Sequence, residues 1–249
     1  MSFVVLNKDN GVENYGIRPD YECNTELVTM DAESGATYWN ASRIESSRHY
    51  QFPVYELVSR IVEDKGARTL VDVGCGVGTK LENLHRAHPE LEIHGIDQPA
   101  AIDWCRAHWE FGTWYADDFE NPGDATRDLA ADVVVCADVI EHVLDPDMVL
   151  RYLRRLSHAE TWFVLSTPDR EQLRGTENRR PPNPHHVREW SAPEFAAYLD
   201  SQGFTIEQQV HQLPVRATFG RYFLEEVVLR AVKLKPLRYN QVVVVRQRG

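Results

Sequence analysis

Acidic and imidazole side chains follow a strongly apolar run in the middle of the chain. Residues 132–137 (DVVVCA) predict a buried strand, and Asp138, Glu141 and His142 come directly after it. Ligands of open α/β sheets bind at the carboxyl ends of the strands, so these polar residues indicate chemistry at that edge. An imidazole or a carboxylate there could remove a proton from a hydroxyl group. We therefore predict that Asp138, Glu141 and His142 are catalytic.

A glycine-rich turn earlier in the chain predicts a nucleotide-binding loop. Residues 70–73 read as a buried strand, and a leucine-spaced segment at 80–87 reads as the helix after it. Between them, Gly74, Gly76 and Gly78 supply positive φ and let a ligand approach the backbone, while the helix amino terminus offers unpaired N–H groups. The spacing is G-x-G-x-G, which differs from the G-x-G-x-x-G of dinucleotide-binding proteins.

Acidic residues near strand ends could complete this nucleotide site. Asp72 precedes the first glycine by two positions. Asp97 ends the next predicted strand, about 20 residues on, where an acid is suited to gripping both ribose hydroxyls. A third predicted strand, 113–116, runs into Asp117. The residues at all three strand ends therefore indicate the same ligand, a nucleotide.

This arrangement resembles motif I of class I S-adenosylmethionine (SAM) dependent methyltransferases. The resemblance covers about residues 55–249, and its anchors are the glycine loop, Asp97, Asp117 and the Glu141-His142 pair. It implies SAM as the cofactor, and Asp117 looks like the acid that reads the adenine. The cofactor-binding residues that it implies are Asp72, Gly74, Gly76, Gly78, Asp97, Gln98, Asp117, Asp118, Phe119 and Asp138.

A second resemblance concerns a divalent metal. An acid, two apolar residues and then Glu-His recur in many SAM-dependent O-methyltransferases, and enzymes of the ubiquinone pathway and small-RNA 2′-O-methyltransferases of the Hen1 type carry such a cluster as metal ligands. Residues 183–191 (NPHHVREWS) resemble the H-x-x-E-W-like segment that completes their site. By that analogy the ligands would be Asp138, Glu141, His142 and His186, although Asp138 is one methylene shorter than the Glu of the Hen1 type. Two carboxylates and two imidazoles are compatible with Mg²⁺, Mn²⁺ or Fe²⁺.

Each of these residues also has a structural interpretation. Asp138 could cap a helix after the strand, and Glu141 could occupy the third position of that helix. His142 could be a hydrogen-bonded wall of the pocket, and His185 and His186 could only order a proline-rich loop. Metal binding and a metal-free role of His142 in catalysis or substrate orientation therefore both stay open.

Two segments are candidates for acceptor binding. Residues 38–52 combine aromatic rings, arginines and hydroxyls, a mixture typical of saccharide and aromatic-ligand sites. The alternative is an amphipathic helix that covers the core. Residues 169–190 are rich in arginine and proline and predict a lid, the alternative being a solvated loop. The predicted acceptor contacts are Tyr38, Trp39, Arg43, His49, Tyr50, His185 and Arg188.

The elements that position these residues alternate between strands and helices. Further strands are predicted at 91–97, 162–166, 205–210 and 240–245, and helices at 54–63, 99–109, 192–201 and 219–234. The pattern predicts an α/β fold with a Rossmann-like, doubly wound sheet. As the resemblance implies, this sheet has seven strands and is mostly parallel with a reversed last strand. We expect an N-terminal arm or cap over 1–53 and one methyltransferase domain over 54–249, with the lid as an insertion.

Composition limits the class of protein further. The chain has 249 residues, 43% of them hydrophobic, and a formal net charge of −11, which argues against broad binding of nucleic acid. Its four cysteines lack C-x-x-C spacing and are expected to be reduced structural thiols. No window approaches the roughly 20 apolar residues of a membrane span, so we expect no span and a cytoplasmic location. A homodimer is kept as a hypothesis.

Methyl transfer requires an acceptor that is aligned with the sulfonium methyl and that loses a proton. A sugar hydroxyl is a poor acid, so it needs a base such as His142 or a metal such as Mg²⁺ or Mn²⁺. We expect a SAM-dependent O-methyltransferase for a saccharide or sugar-containing metabolite, with a small-molecule or oligosaccharide acceptor. The alternatives are a quinone, phenol or polyketide acceptor, a small-RNA 2′-O-methyltransferase and a non-enzymatic SAM-binding regulator.

Overall fold

A single mixed sheet forms the centre of the computed structural model, which describes residues 14–25, 39–216, 220–233 and 239–248. Its seven strands are β1 (Thr69–Val73), β2 (Glu92–Asp97), β3 (Thr113–Ala116), β4 (Ala131–Ala137), β5 (Ser157–Pro168), β6 (Phe204–Gln212) and β7 (Asn240–Gln247). The order is β3-β2-β1-β4-β5-β7-β6. The first five strands pair in parallel, whereas β7 runs antiparallel to both of its neighbours. The predicted fold class is confirmed.

Helices cover both faces of this sheet. They are α1 (Ala41–Ser47), α2 (Phe52–Lys65), α3 (Thr79–Ala87), α4 (Pro99–His108), α5 (Pro146–Arg155), α6 (Arg170–Arg174), α7 (Ala192–Ser201) and a helical segment α8 at 221–232, which contains a π-helical turn at Leu224–Val228. A capping box between Ser191 and Glu194 begins α7. The predicted ends of the last helix, at 219 and 234, lie outside the described residues, as does the predicted acceptor contact Tyr38.

Alternating residues of β4 explain the two-sided packing. Val133 and Val135 pack into the core cluster that contains α2, α3 and α4, whereas Val134 and Cys136 pack into the cluster of α5 and α7. Successive side chains of a strand point to opposite faces, so an unbroken apolar strand needs a helical layer on each side. The carboxyl ends of β1, β2, β4 and β5 therefore open onto one edge, between the two layers.

Described residues outside the predicted methyltransferase domain pack directly against it. Tyr15, Ile17 and Tyr21 join the core cluster of α5 and α7. The arm (residues 14–25) then runs along the lid (residues 169–190), where Asn24 N donates to Val187 O at 2.9 Å. The arm is thus part of the same packed structure as the sheet. All four cysteines are free, and three of them are buried.

No described helix combines the length and the apolar character that a membrane crossing would require.

Candidate active site

The glycine loop after β1 adopts the backbone that its sequence predicts. Gly74, Gly76 and Gly78 all have positive φ, between 56° and 80°. A Cβ on Gly74 would lie 2.2 Å from Val139 Cγ2, and one on Gly76 would lie 2.7 Å from the ring of Trp39. Side chains are therefore excluded at these positions by space as well as by conformation. The loop leads directly into α3, whose amino terminus faces the same edge of the sheet.

Two carboxylates flank this loop, one partly buried and one fully buried. Asp97 accepts hydrogen bonds from Gly76 N and Gln98 N, both at 2.7 Å, and so ties the end of β2 to the loop. Asp72 is fully buried and accepts from the Tyr55 hydroxyl at 2.8 Å. Burial raises the pKa of Asp72 to about 7, although the Tyr55 hydrogen bond opposes the rise. Both acids lie where the sequence predicts a cofactor.

The carboxylate of Asp117, the acid predicted to bind the adenine, accepts hydrogen bonds from the protein itself. Asp117 Oδ1 accepts from Gly123 N and Asp118 N, and Oδ2 accepts from the hydroxyls of Thr126 and Tyr152, at 2.7 and 2.6 Å. A carboxylate has about four lone-pair positions, so these four donors leave no room for an adenine amine. The structure therefore gives Asp117 the role of ordering the loop after β3. Asp118, by contrast, is exposed, and Phe119 is partly exposed.

A lysine that was not among the predicted site residues lies beside the glycine loop. Lys80 is in the first turn of α3, partly buried, with Nζ 5.5 Å from the centre of the Tyr55 ring. Burial lowers its pKa, and the nearby charges of Asp72, Asp138 and Asp97 oppose that effect. The sequence held a signal for it, because a cation is disfavoured in the first turn of a helix unless something else requires it.

Three of the four predicted metal ligands meet at the end of β4. The ligand atoms of Glu141, His142 and His186 all lie within 4.8 Å of one another. Glu141 and His142 belong to a 3₁₀ turn, Ile140–His142, whereas His186 belongs to the lid. Backbone hydrogen bonds join the two segments, since Glu141 O accepts from Val187 N at 2.7 Å. The fold therefore brings together residues about 45 positions apart, as the resemblance implied.

Neighbouring groups orient each imidazole of this cluster. His142 Nδ1 is 2.7 Å from His185 O, and His186 Nδ1 is 2.7 Å from Glu189 Oε1. Each Nδ1 therefore donates, and in the neutral imidazole each Nε2 is then an acceptor. Glu189 was not predicted as a site residue, although its i,i+3 spacing from His186 was a usable signal. Such outer hydrogen bonds are the usual support of metal-binding histidines.

The charges around the cluster suit a cation. Burial raises the pKa of Glu141 well above its ordinary value, and the negative charge of Asp138 raises it further. Desolvation and the neighbouring His186 lower the pKa of His142 to about 4, although part of its ring reaches solvent. Burial would raise the pKa of Glu189, but hydrogen bonds from His186 and Arg174 outweigh it and lower the pKa.

Asp138 differs from two of its predicted roles, a helix cap and a metal ligand. It adopts a left-handed backbone conformation with φ of 53° and caps no helix, because a 3₁₀ turn follows β4. Its carboxylate accepts from Ser166 Oγ at 2.7 Å, from Gln51 Nε2 at 2.6 Å and from Asn240 Nδ2 at 2.7 Å. It is not among the ligand atoms that cluster within 4.8 Å. The shorter side chain and its three donors keep Asp138 out of the group.

A cavity of about 450 Å³ lies beside Asp138, between the lid, the start of α2 and the start of β7. Most of its lining side chains are polar. The lining residues are Tyr50, Gln51, Asp138, Leu173, Arg174, Pro182, Asn183, Pro214 and Asn240. Arg174 also contacts Glu189, which holds His186, so the wall of the cavity is joined to the Glu141, His142 and His186 cluster.

The predicted acceptor contacts divide between several places. Tyr50 lines the cavity, whereas the Trp39 ring lies on Gly76 of the cofactor loop. His49 stacks on Tyr222 with ring centres 4.4 Å apart. Arg43 is exposed on α1, and His185 is exposed in the lid and accepts from His142 through its carbonyl.

Arg188 is the predicted acceptor contact that the structure places inside the protein. It is fully buried and donates to Val143 O at 3.0 Å and to Leu144 O at 2.8 Å. Its guanidinium also lies 4.5 Å from the centre of the Tyr15 ring. The prediction of an acceptor contact at Arg188 conflicts with this position, because the side chain fixes the turn after the metal-ligand candidates instead of reaching the cavity.

Comparisons with known proteins agree with this geometry. The ubiquinone biosynthesis O-methyltransferase of Xanthomonas axonopodis pv. citri (strain 306) is 29% identical over 188 residues, which cover 68% of this chain and 76% of that protein. A probable S-adenosylmethionine-dependent methyltransferase of Mycolicibacterium smegmatis is 27% identical over 200 residues, covering 77% of this chain and 76% of that protein. The solved structure of the plantazolicin methyltransferase BpumL, with a pentazolic desmethylPZN analog and S-adenosylhomocysteine (SAH), has a TM-score of 0.59 at 14% identity, over 87% of this chain and 95% of that one.

A seven-stranded sheet of this order, with a glycine loop after its first strand, defines the class I SAM-dependent methyltransferases. Residues 39–209 match the family described as a methyltransferase domain, and the chain belongs to that family. It is a SAM-dependent methyltransferase, as the sequence predicted.

Proposed function

We propose that the chain is a metal-assisted O-methyltransferase whose acceptor is a saccharide or sugar-containing metabolite with neighbouring hydroxyls. The observation that carries this proposal is the cluster of Glu141, His142 and His186, which Glu189 and Arg174 join to the wall of a cavity at the cofactor edge of the sheet. The relatives support transfer to oxygen, because the Xanthomonas protein is named as an O-methyltransferase.

The donor set fits a divalent cation such as Mg²⁺ or Mn²⁺. Glu141 Oε2 accepts from the Thr167 hydroxyl, whereas Oε1 is buried with no hydrogen-bond partner among the described residues. An unpaired buried carboxylate oxygen is costly, and a bound cation would satisfy it. Both imidazoles present an unprotonated Nε2, which is the form that binds a metal. Glu141, His142 and His186 would hold the ion.

The bound cation would lower the pKa of an acceptor hydroxyl and fix its orientation. The residues of the chain position the cofactor and the acceptor and exclude water. The glycine loop, Asp72 and Asp97 position the cofactor at the ends of β1 and β2. The cavity positions the acceptor at the end of β4, beside Asp138. The lid carries His186 and closes the site, which excludes water from the reacting groups.

Turnover tests this proposal. Purified protein would be given SAM with methyl glycosides, catechols and ribonucleosides as acceptors, before and after treatment with EDTA, and then with Mg²⁺ or Mn²⁺ restored. We expect glycosides to be methylated and EDTA to cut turnover by about a hundredfold or more, within the range for losing a group that activates the acceptor. His186→Ala should reproduce the loss, whereas His108→Ala, at an exposed histidine at the end of α4, should not.

Two results would contradict parts of the proposal separately. Full activity in EDTA would remove the metal and leave His142 Nε2 as the candidate base. Turnover of catechols without glycosides would favour the second candidate, a phenolic acceptor, which the names of the ubiquinone-pathway relatives support. Retained SAM binding without turnover of any acceptor would favour a SAM-binding regulator.

A further inference from the structure

Two residues with an unfavourable backbone conformation meet in the cavity. Only three non-glycine residues of the described ranges have positive φ, and two of them are Gln51, at 59°, and Asp138, at 53°. Gln51 Nε2 donates to Asp138 Oδ2 at 2.6 Å, and both residues line the cavity. Strained backbone positions gather at functional sites, because the surrounding structure has to hold them in place.

The position of Gln51 is unfavourable in a second respect. It is the N-cap residue of α2, where a short polar side chain normally accepts from the helix backbone, yet its side chain makes no capping bond. Instead the side chain turns toward Asp138. The backbone is fixed by Gln51 N, which donates to Pro214 O at 2.7 Å, and by the bridge between Tyr50 and Val215. Local stability of the helix would favour Ser, Asp or Asn at this position, so the glutamine indicates another use.

Asn240 completes the group from the start of β7. Its Nδ2 donates to the same Asp138 oxygen at 2.7 Å, while Ser166 Oγ donates to the other at 2.7 Å. A carboxylate has about four lone-pair positions, so three donors leave one open on Oδ1. Within the described ranges, no hydrogen bond reaches Gln51 Oε1 or Asn240 Oδ1. The group therefore offers three acceptor oxygens, together with the second proton of each amide.

We propose that Gln51, Asp138 and Asn240 form a hydroxyl-binding subsite, the amide–carboxylate clamp, for a polyhydroxylated acceptor. Sugar hydroxyls would donate to the open oxygens and accept from the remaining amide protons. A catechol has only two hydroxyls, and the proposed metal would engage both, so none is left for the clamp, whereas a saccharide has further hydroxyls that can pair with the open oxygens. The negative charge of Asp138 likewise disfavours an anionic group in this place. The inference rests on the proposed function and deepens it, because it names the chemistry that selects the acceptor.

Ligand binding without turnover tests the clamp. The full chain would be loaded with SAH and titrated with methyl α-D-glucopyranoside, methyl α-D-mannopyranoside, methyl α-D-galactopyranoside and catechol, with binding followed by ligand-observed NMR. Gln51→Gly and Asn240→Ala should each weaken binding of at least one glycoside by about tenfold, as expected for one or two lost hydrogen bonds. Catechol binding and SAH affinity should change by less than about twofold.

Controls separate recognition from folding. Gly adopts positive φ without strain, so Gln51→Gly should leave the thermal unfolding midpoint unchanged or raise it. The matched amide control is Gln209→Ala in β6, whose side chain donates to Ala192 O outside the cavity. It should leave glycoside binding unchanged.

Three results would overturn the clamp: no binding of any of the three glycosides by the wild-type chain, an equal loss for glycosides and catechol, or unchanged glycoside binding in both variants. Glycoside binding that depends on the clamp in a protein without methyl transfer would contradict the proposed function and leave the clamp standing.

Discussion

At the scale of single residues, Asp72 is a deeply buried acid at the cofactor edge, and its side chain ends in the core beside the glycine loop. Asp72 has no exposed surface, and its Oδ1 has no hydrogen-bond partner among the described residues. The Tyr55 hydroxyl donates to the other oxygen. Burial without a full set of donors favours the protonated acid, which is why the pKa of Asp72 rises to about 7.

This burial predicts a pH dependence of stability. Because the pKa of Asp72 is raised in the folded state from 3.8 to about 7, its stabilising contribution is full below the unfolded pKa and is lost as the pH rises toward 7. Asp72→Asn should remove that loss. Urea unfolding of the cofactor-free chain at several pH values would measure it. The free energy of unfolding of the variant, relative to wild type, should rise by up to about 1.4 kcal/mol for each pH unit within the window.

One result of comparing wild type with Asp72→Asn would contradict the raised pKa of Asp72. A constant difference between wild type and Asp72→Asn across this pH range would mean that Asp72 is ionised in the folded chain throughout. Tyr55→Phe is a useful companion, because loss of the hydroxyl removes the hydrogen bond that lowers the pKa of Asp72. Tyr55→Phe should therefore move the pH range in which the stabilising contribution of Asp72 is lost to higher values.

Lys80 carries a second prediction at this scale. The cofactor has one carboxylate and two positively charged groups. Lys80 is a partly buried cation that lies among acids, and its Nζ makes no hydrogen bond within the described ranges. We expect Lys80 to bind the carboxylate. Lys80→Met should lower the affinity for SAH by about ten- to a hundredfold, the range for one charge-assisted hydrogen bond, and leave 5′-methylthioadenosine, which lacks the amino acid part, unaffected. Calorimetry measures both.

A matched control for Lys80 lies at the opposite edge of the sheet. Lys65 packs over the Trp162 ring at 4.3 Å, so Lys65→Met removes an equal charge far from the glycine loop. An equal loss of affinity for both nucleosides in Lys80→Met would show that the lysine supports the loop instead of contacting the cofactor.

Side-chain roles were the least predictable part of the site. The sequence indicates that an acid follows β3, but the orientation of Asp117 is decided by Thr126 and Tyr152, the latter 35 positions away. Likewise, Asn240 reaches Asp138 across 102 positions. By contrast, the glycine loop was predictable because its demands on φ and space are local. A side-chain role that depends on partners far apart in the sequence produces no recognisable spacing of residues.

At the scale of elements, the arm and the lid behave as one unit. Asn24 is the centre of their contact: its Nδ2 lies 3.0 Å from His186 O and 3.3 Å from Pro181 O, while its Oδ1 accepts from Arg180 Nε at 2.6 Å. The lid carries a proposed metal ligand, so the position of that ligand depends on a segment from the other end of the chain.

We expect Asn24→Ala to loosen the lid without disturbing the cofactor. The asparagine is buried, so its removal takes a donor from the carbonyls of Pro181 and His186, at a cost of about 1–3 kcal/mol. Hydrogen exchange of amides in the 176–188 segment should speed up, and SAH affinity should stay the same. Asn14→Ala is the control in the same arm, since its side chain donates only to Arg18 O. Unchanged exchange in the lid would contradict a role of the arm in holding it.

The strands were easier to predict than the arm for a physical reason. Long apolar runs such as β4 have to be buried on both faces, and β3 was predicted with its observed bounds. The start of β5 was missed, because Ser157, His158 and Glu160 are not apolar. The arm binds the lid through side chains such as those of Asn24 and Arg180, which are 156 positions apart, so no spacing in the sequence indicates the contact.

At the scale of the whole molecule, net charge limits the partners. A formal charge of −11 produces a repulsive field toward polyanions, and counterion release cannot overcome it without a cluster of basic residues. The small-RNA hypothesis therefore predicts that the chain binds RNA, whereas the prediction of no nucleic acid partner requires that it does not, and RNA binding can be measured. Homodimer formation and a cytoplasmic location stay predictions.

Fluorescence anisotropy with a labelled single-stranded RNA decides between them. We expect no saturable binding at about 50 mM salt, where electrostatic attraction is strongest. Tight binding that weakens by several orders of magnitude near 200 mM salt would contradict the expectation and support the RNA alternative. A neutral, non-saccharide decoy such as labelled polyethylene glycol checks for non-specific effects of labelled polymers.

The reversed direction of β7 has a consequence for how such an enzyme could diversify. Because this strand runs against its neighbours, its first residue arrives at the edge where the parallel strands finish, beside Pro168. The proposed acceptor cavity therefore combines Asn240 and the lid, from the C-terminal third, with Tyr50, Gln51 and Asp138 from earlier in the chain, whereas the glycine loop lies wholly in the first half. Swapping the C-terminal third between homologues should change part of the recipient preference while the donor-binding loop is inherited intact, so chimeras offer a route to new products.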